Sequence, residues 1–452
     1  MLSPNFIINS IYRFKTSQQQ GLIFLWYHNK IYMMRRKLYI VDGYRTPFTK
    51  IGTDLADEPV QNLGISTAKH LITKTGLDPS DIDHVCYGCV NQPADAQNVA
   101  RIIGVRSGVP KEVPAVSVHR NCASGFESVT YACDKANNDK GDVFLVGGVE
   151  SMSQMPLLFN KESKTKFGRL MSSKSIIQKL KNAIKFRPSD FLPEVAIKLG
   201  LIDPLCGIGM GDTADKVARE FNITRREQDL YSQRSHNGAL LNKQQLKNEI
   251  APYYKTNDNC LRSYSGDIVE NDNGPRPPSD KLFKLKPIFD RREGTVTAGN
   301  ASQVTDGGVS LLLMTEEGLN KTGMDPIGVI NDYAYAGCEP ATMGLGPVYS
   351  TDKLLKENNV SIDNFDLIEL NEAFAAQVLA VLKLAKDTFG EIPTSKLNLQ
   401  GGAIALGHPL AASGSRLILT MLHQLKNNDL TKGLVTACVG GGQGGTLWIE
   451  RV

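Results

Sequence analysis

Short β-branched runs alternate with helix-length stretches along this chain, and the alternation occurs twice. From Leu38 the order reads strand (Leu38–Val41), amphipathic helix (Asn62–Thr75), strand (His84–Val90), helix (Ala96–Ile103), strand (Val113–Val118), helix (Phe126–Cys133) and strand (Val143–Val146). After about residue 325 the grammar returns: Ile327–Ile330, a helix near Thr351–Glu357, the strand Leu367–Leu370, a helix from Glu372 to Lys386, a strand-like Leu397–Leu399, a helix from Ser413 to Leu425, the strand Leu434–Cys438, and Thr446–Arg451. Such alternation predicts α/β layers around a partly parallel sheet. Its recurrence implies an internal duplication, although no residue-level repeat is visible.

A chain of 452 residues exceeds one ordinary core. A net charge of +4 is too weak to argue for nucleic acid, and no apolar run approaches the ~20 residues that cross a bilayer. Eight scattered cysteines are no disulfide framework. Cys86-x-x-Cys89 lacks a second ligand pair, so no metal site is expected. The first 41 residues hold no Asp or Glu but carry Arg13, Lys15, Lys30, Arg35, Arg36 and Lys37. An organellar presequence and an upstream start codon, with Met33 or Met34 as the working start, both fit. Residues 1–36 are therefore set apart from the fold, and the expected compartment is the cytoplasm, with the mitochondrion as alternative.

Residues 161–187 differ in kind, with nine Lys or Arg against one acid, Glu162. Ile176, Ile177, Leu180 and Ile184 share one helical face there while Lys174, Lys181 and Lys185 fall elsewhere, and Pro188 ends the segment. A basic amphipathic helix can lie on an anionic membrane, dock on a partner, or simply cover the domain beneath it.

The strand Val113–Val118 leads into Asn121-Cys122-Ala123-Ser124-Gly125-Phe126. A cysteine delivered to the first turn of a helix meets the positive end of the helix dipole, which favours the nucleophilic thiolate. A buried structural cysteine is the plain alternative. Four further motifs accompany it: Asn371-Glu372-Ala373-Phe374, the turn Gly401-Gly402-Ala403-Ile404-Ala405-Leu406-Gly407-His408-Pro409, Cys438-Val439-Gly440-Gly441-Gly442, and Gly294-Thr295-Val296-Thr297-Ala298-Gly299-Asn300-Ala301-Ser302. Singly, these read as a helix cap, a turn and glycine loops. The glycine spacing is not that of a dinucleotide site.

Together, in this order, they resemble the thiolases from about Leu38 to Val452. The resemblance implies an α/β fold of five layers, α/β/α/β/α, in two similar halves with an inserted loop domain. The expected division is 37–155 and 286–320 for the first half, 156–285 for the loop domain and 321–452 for the second half. It further implies Cys122 as acyl acceptor, His408 as its base, Cys438 as acid and base, and Asn371 holding a water that faces the enolate. The N–H groups of Cys122 and Gly440 would form the oxyanion hole, a place where a glycine allows close approach. Ser302, Met210 and Phe374 would lie near coenzyme A and the acyl chain.

No cofactor is implied beyond coenzyme A as a substrate, and the expected partners are acyl-CoA, CoA and further copies of the chain in a homodimer or homotetramer. Ala411 departs from the usual glycine after His-Pro-Leu, and Gly307-Gly308-Val309 from a more alanine-rich run. The insertion is similar to that of the trifunctional-enzyme β subunit, which suggests an α-subunit partner or a membrane at 161–187, yet those relatives usually carry His where Asn371 stands. The expected activity is a 3-ketoacyl-CoA thiolase of fatty-acid β-oxidation, with acetyl-CoA C-acetyltransferase as alternative. Ketoacyl synthases of the wider superfamily typically pair their cysteine with two histidines. A non-catalytic lipid-binding or scaffold subunit is the alternative of another class.

Overall fold

The computed structural model describes residues 36–257 and 264–452. The amino-terminal extension expected over 1–36 lies outside them apart from Arg36. In chain order the first half contributes β1 (Leu38–Arg45), α1 (Val60–Thr75), β2 (His84–Gly88), α2 (Val99–Arg106), β3 (Ala115–Val118), α3 (Ser124–Asn137) and β4 (Val143–Glu150). Between β4 and the next long strand run α4 (Lys161–Met171), α5 (Ile176–Ala183), α6 (Met210–Glu220) and α7 (Arg225–Leu241). Then follow β5 (Thr305–Met314), β6 (Gly328–Gly337), α8 (Gly346–Asn358), β7 (Leu367–Leu370), α9 (Ala375–Thr388), α10 (Leu410–Asn427), β8 (Lys432–Val439) and β9 (Gln443–Arg451).

The long strands pair in the order β7-β8-β9-β6-β1-β5-β4-β2-β3. The duplication expected from the sequence appears in the pairing itself. In the first half β2–β4 is parallel while β4–β5 and β5–β1 are antiparallel. In the second, β7–β8 is parallel while β8–β9 and β9–β6 are antiparallel. The halves join where Leu38–Ile40 of β1 pairs with Gly328–Ile330 of β6. Both strands slip register just beyond that seam, between Ile40 and Asp42 and between Ile330 and Asp332. Such irregularities bend a strand and raise its twist.

Three cores explain the five layers. One face of the first half's strands packs on α1 and α2 through Leu63, Leu71, Ile103 and Leu145. The outer face of the second half packs on α8 and α9 through Leu354, Val378, Ile368 and Leu434. Between the halves, α3 and α10 share one core with both sheets, including Phe126, Val146, Leu417 and Val435. These central helices approach closely because glycine lies at the contacts. A Cβ on Gly125 or Gly148 would overlap the backbone of the α10 start at Ala411.

Three expectations change. Leu397–Leu399 is no strand: Leu397 makes a single parallel bridge to Ile368, in the place where β3 lies beside β2 in the other half. The segment 161–187 is not one helix but two, broken at 172–175 where Ser175 caps α5 by accepting from Gln178 N–H. Pro188 opens a short 3-10 turn. No helix among the described residues is long and apolar enough to cross a membrane.

Candidate active site

Within each half the parallel strands carry the chemistry-bearing residues at or just beyond their carboxyl ends. Cys122 follows β3, Asn371 follows β7, and Cys438 is the penultimate residue of β8. Cys122 opens onto a cavity of about 470 Å³. Its walls are Val90, Met152, Met155, Leu410, Met210 and the loop from Leu199 to Leu205, with Gly440 and Gly441 opposite.

The backbone N–H of Gly440 and that of Cys122 itself both act on the Cys122 sulfur. They pull the thiol's pKa down, but burial outweighs them and pushes it up to about 11. The helix-dipole expectation is therefore corrected. Although the side chain is half-buried and faces the cavity, desolvation of the thiolate dominates, so at rest Cys122 holds its proton and requires a base.

His408 lies in the turn before α10, buried, with Nδ1 2.6 Å from Ser413 Oγ. The Ser413 hydroxyl donates to Pro409 O at 3.0 Å. With its one proton so engaged, Ser413 accepts from Nδ1–H, which leaves the Nε2 lone pair toward the site. Nε2 meets Asn371 Nδ2 at 3.4 Å. Burial, aided by Arg416, lowers the ring's pKa to about 4 and keeps it neutral. Asn371 Oδ1 is buried without a protein partner, an acceptor left open.

Cys438 is fully buried and packs with Met343, Ala373, Met210 and Phe374. Its thiol is raised well above the ordinary value, by burial first and then by the neighbouring Cys122 and Cys338. Such a group keeps its proton and can deliver it.

The carboxylate of Glu372 accepts from Tyr231 Oη at 2.8 Å, Asn398 Nδ2 at 2.9 Å, Ser235 Oγ at 2.6 Å and Ile404 N at 3.2 Å. It ties the turn after β7 to α7 and to the glycine turn before His408. It does not cap α9, which begins at Ala375 with no side-chain cap. Glu150, at the end of β4, accepts from the N–H groups of Asn91, Ala411 and Val90 at 2.8, 3.1 and 3.2 Å. It joins the loop after β2 to the first turn of α10.

Met210, the first residue of α6, reaches the cavity as expected. Phe374 stacks edge-on against Phe289 and borders Cys438. Ser302 stands outside the cavity wall, its N–H donating to Ala373 O at 2.9 Å. Gly440 is not demanded by space, since a Cβ there would make ordinary contacts; its neighbours Gly441 and Gly442, at φ 90° and 80°, need glycine. Ser413, Glu150 and Asp203 were not anticipated. A serine one turn beyond a histidine and an acid at a strand end were the only signals for the first two.

The sequence and the fold have counterparts among known proteins. The family model for the thiolase N-terminal domain matches residues 38–317, and that for the thiolase C-terminal domain matches 324–451. A probable acetyl-CoA acyltransferase of Staphylococcus aureus (strain COL) is 36% identical over 413 residues, 90% of this chain and 97% of that protein. The acetyl-CoA acetyltransferase of Bacillus anthracis superposes with a TM-score of 0.82 at 31% identity, covering 92% of this chain and 99% of that one. Human mitochondrial 3-ketoacyl-CoA thiolase gives 0.81 at 32%, covering 93% and 100%, and its complex with CoA gives the same score. The two family models together span almost all of the described chain, which belongs to the thiolase family of acyltransferases.

Proposed function

We propose that the chain is a 3-ketoacyl-CoA thiolase acting in fatty-acid β-oxidation, cleaving a 3-ketoacyl-CoA with CoA to acetyl-CoA and a shortened acyl-CoA. The observation that carries this reading is the cavity at Cys122. It is about 470 Å³, far more than an acetyl group needs, and it is walled by Met152, Met155, Ile197, Leu199, Leu201 and Leu205. Apolar walls with few polar groups suit an alkyl chain.

In this mechanism His408 Nε2 takes the Cys122 proton and the sulfur attacks the 3-keto carbon. The oxyanion so formed is stabilised by the N–H groups of Cys122 and Gly440. The C2–C3 bond breaks, its electron pair leaves as the acetyl-CoA enolate, and Cys438 protonates that carbon. His408 and a water on Asn371 face the enolate oxygen. The Cys438 thiolate then deprotonates the incoming CoA thiol, whose sulfur attacks the Cys122 thioester. Acyl-CoA departs and Cys122 recovers the proton from His408. No cofactor is needed.

A second cavity of about 250 Å³ brings Leu282, Leu285 and Ala298 beside Arg276 and Lys281. Apolar groups next to basic ones suit the pantetheine and phosphates of CoA.

The insertion supports a docking role against an anionic lipid surface. Ile176, Ile177, Leu180 and Ile184 are 77%, 67%, 59% and 82% exposed, amid the nine basic residues of 161–187. An apolar stripe left bare this way is unusual for a free surface.

Steady-state rates with 3-ketoacyl-CoAs of four to sixteen carbons test the reading. Turnover rising with chain length is expected. Turnover of the four-carbon substrate alone would favour the acetyltransferase, and CoA binding without turnover the scaffold.

A further inference from the structure

Gly440, Gly441 and Gly442 have no side chains to restrict them, and a Cβ on Gly441 would touch nothing within 4 Å. A run of this kind samples both signs of φ. The Gly440 N–H belongs to the Val439–Gly440 peptide, where β8 ends with Val439 paired to Gln443, and what keeps Gly440 from turning away with the glycines after it must act on the next peptide. The Gly440–Gly441 peptide is held at both ends. Its carbonyl oxygen accepts from Asn121 Nδ2 at 2.7 Å, and its N–H donates to Asp203 Oδ2 at 2.9 Å.

Asp203 belongs to the loop between α5 and α6 and is itself fixed. Its other oxygen accepts the Leu205 N–H at 2.8 Å, its own N–H donates to Ile208 O, and its carbonyl accepts from Gly207 N–H. The residue is 2% exposed and lies in the wall of the Cys122 cavity. A carboxylate acceptor makes shorter and stronger hydrogen bonds than a neutral one.

We propose that Asp203 is a positioning residue for acyl transfer: by locking the Gly440–Gly441 peptide it keeps Gly440, whose N–H acts on the sulfur of Cys122 and on the oxyanion formed there, from rotating away with the flexible glycines that follow. The same carboxylate fixes the Leu205 backbone, so the acyl-chain wall and the oxyanion donor share one anchor. This rests on the acyltransferase reading of Cys122.

The test compares Asp203→Asn, Asp203→Glu and Asp203→Ala in the full-length protein. Steady-state thiolysis of a short 3-ketoacyl-CoA is read together with single-turnover acylation of Cys122 followed by mass spectrometry. Asn keeps one acceptor oxygen for the Gly441 N–H and gives up the bond to the Leu205 N–H, whereas Glu keeps the charge and moves both oxygens by one methylene. Asn should retain kcat within about fivefold, while Glu and Ala should lower kcat and the acylation rate by about ten- to a hundredfold, with KM nearly unchanged. Because Asn and Glu alter little volume, they carry the test even where Ala fails to fold. Glu better than Asn, a loss confined to KM, or full kcat in Glu and Ala would overturn the proposal. A wild-type protein that neither turns over ketoacyl-CoA nor forms an acyl-Cys122 would instead overturn the functional reading on which it stands.

Discussion

Ser413 Oγ lies 2.6 Å from His408 Nδ1 and donates its own hydrogen bond to Pro409 O, so one serine decides which ring nitrogen is basic. Its removal leaves a buried Nδ1–H unpaired, which typically costs about 1–3 kcal/mol. Ser413→Ala should lower kcat by about ten- to a hundredfold, a fraction of what a general base supplies. Ser413→Thr, which keeps the hydroxyl, should recover most of it. Equal kcat in Ala and wild type would show that the ring needs no such orientation.

The two cysteines should separate cleanly. Cys122→Ser should reduce thiolysis by about a thousandfold or more, as for other nucleophile knockouts, with the fold intact. Iodoacetamide should label Cys122 ahead of the fully buried Cys438. Cys438→Ala should still form an acyl-enzyme from acyl-CoA yet fail in carbon–carbon cleavage. Should acylation be lost in both variants alike, the acid role assigned to Cys438 is wrong.

Glu150 supplies a pH prediction. Burial raises its carboxyl from 4.5 to about 7, against three backbone N–H donors that pull the other way. An acid with a raised folded-state value takes up a proton on folding. Its stabilisation is complete below the unfolded value near 4.5 and is lost as pH rises through 7. His408, lowered from 6.5 to about 4, works oppositely: its stabilisation is present above 6.5 and is lost as pH falls toward 4. That second effect is common to wild type and Glu150→Gln and cancels in their difference. The Tm of the variant minus that of wild type should therefore climb between about pH 5 and pH 8. A flat or falling difference contradicts the assignment.

The basic hairpin predicts co-sedimentation with anionic but not neutral vesicles, weakened by salt, at roughly 1 kcal/mol per basic residue reaching the surface. Changing Lys174, Lys181 and Lys185 together to Glu should reduce binding without altering thiolysis of a short ketoacyl-CoA. Equal sedimentation with neutral vesicles, or none with either, would leave a partner subunit or a simple cover as the better account.

What could be read in the sequence was whatever depends on neighbours along the chain. The strands ending at Val118, Leu370 and Cys438 announced themselves as β-branched runs breaking into small or polar residues, and the motifs at those ends were quoted intact. The strand Thr305–Met314 escaped notice. It is buried along its whole length and so shows no period of two, and its Gly307-Gly308 resembles a turn. In the fold those glycines make room for Phe48 and Leu63. The high pKa of Cys122 escaped too, since a sequence shows a helix start but not the desolvation that outweighs it. Asp203 carried no signal, because its partner lies 238 residues away.

The long strand Thr305–Met314 is hydrogen-bonded on one side to Leu38–Arg45 and on the other to Val143–Glu150. It therefore reaches the ribosome exit only after some 150 intervening residues have been made. At bacterial or eukaryotic synthesis speeds that is a wait on the order of ten seconds or longer. Throughout it the nascent chain holds the paired strands His84–Gly88, Ala115–Val118 and Val143–Glu150 with one edge open, and Leu38–Arg45 with no partner strand at all. Chaperone demand during synthesis should therefore be high in that interval and fall as Thr305–Met314 and then Gly328–Gly337 emerge to cover both sides of Leu38–Arg45, so the order of translation exposes this protein to aggregation in a way its finished fold does not reveal.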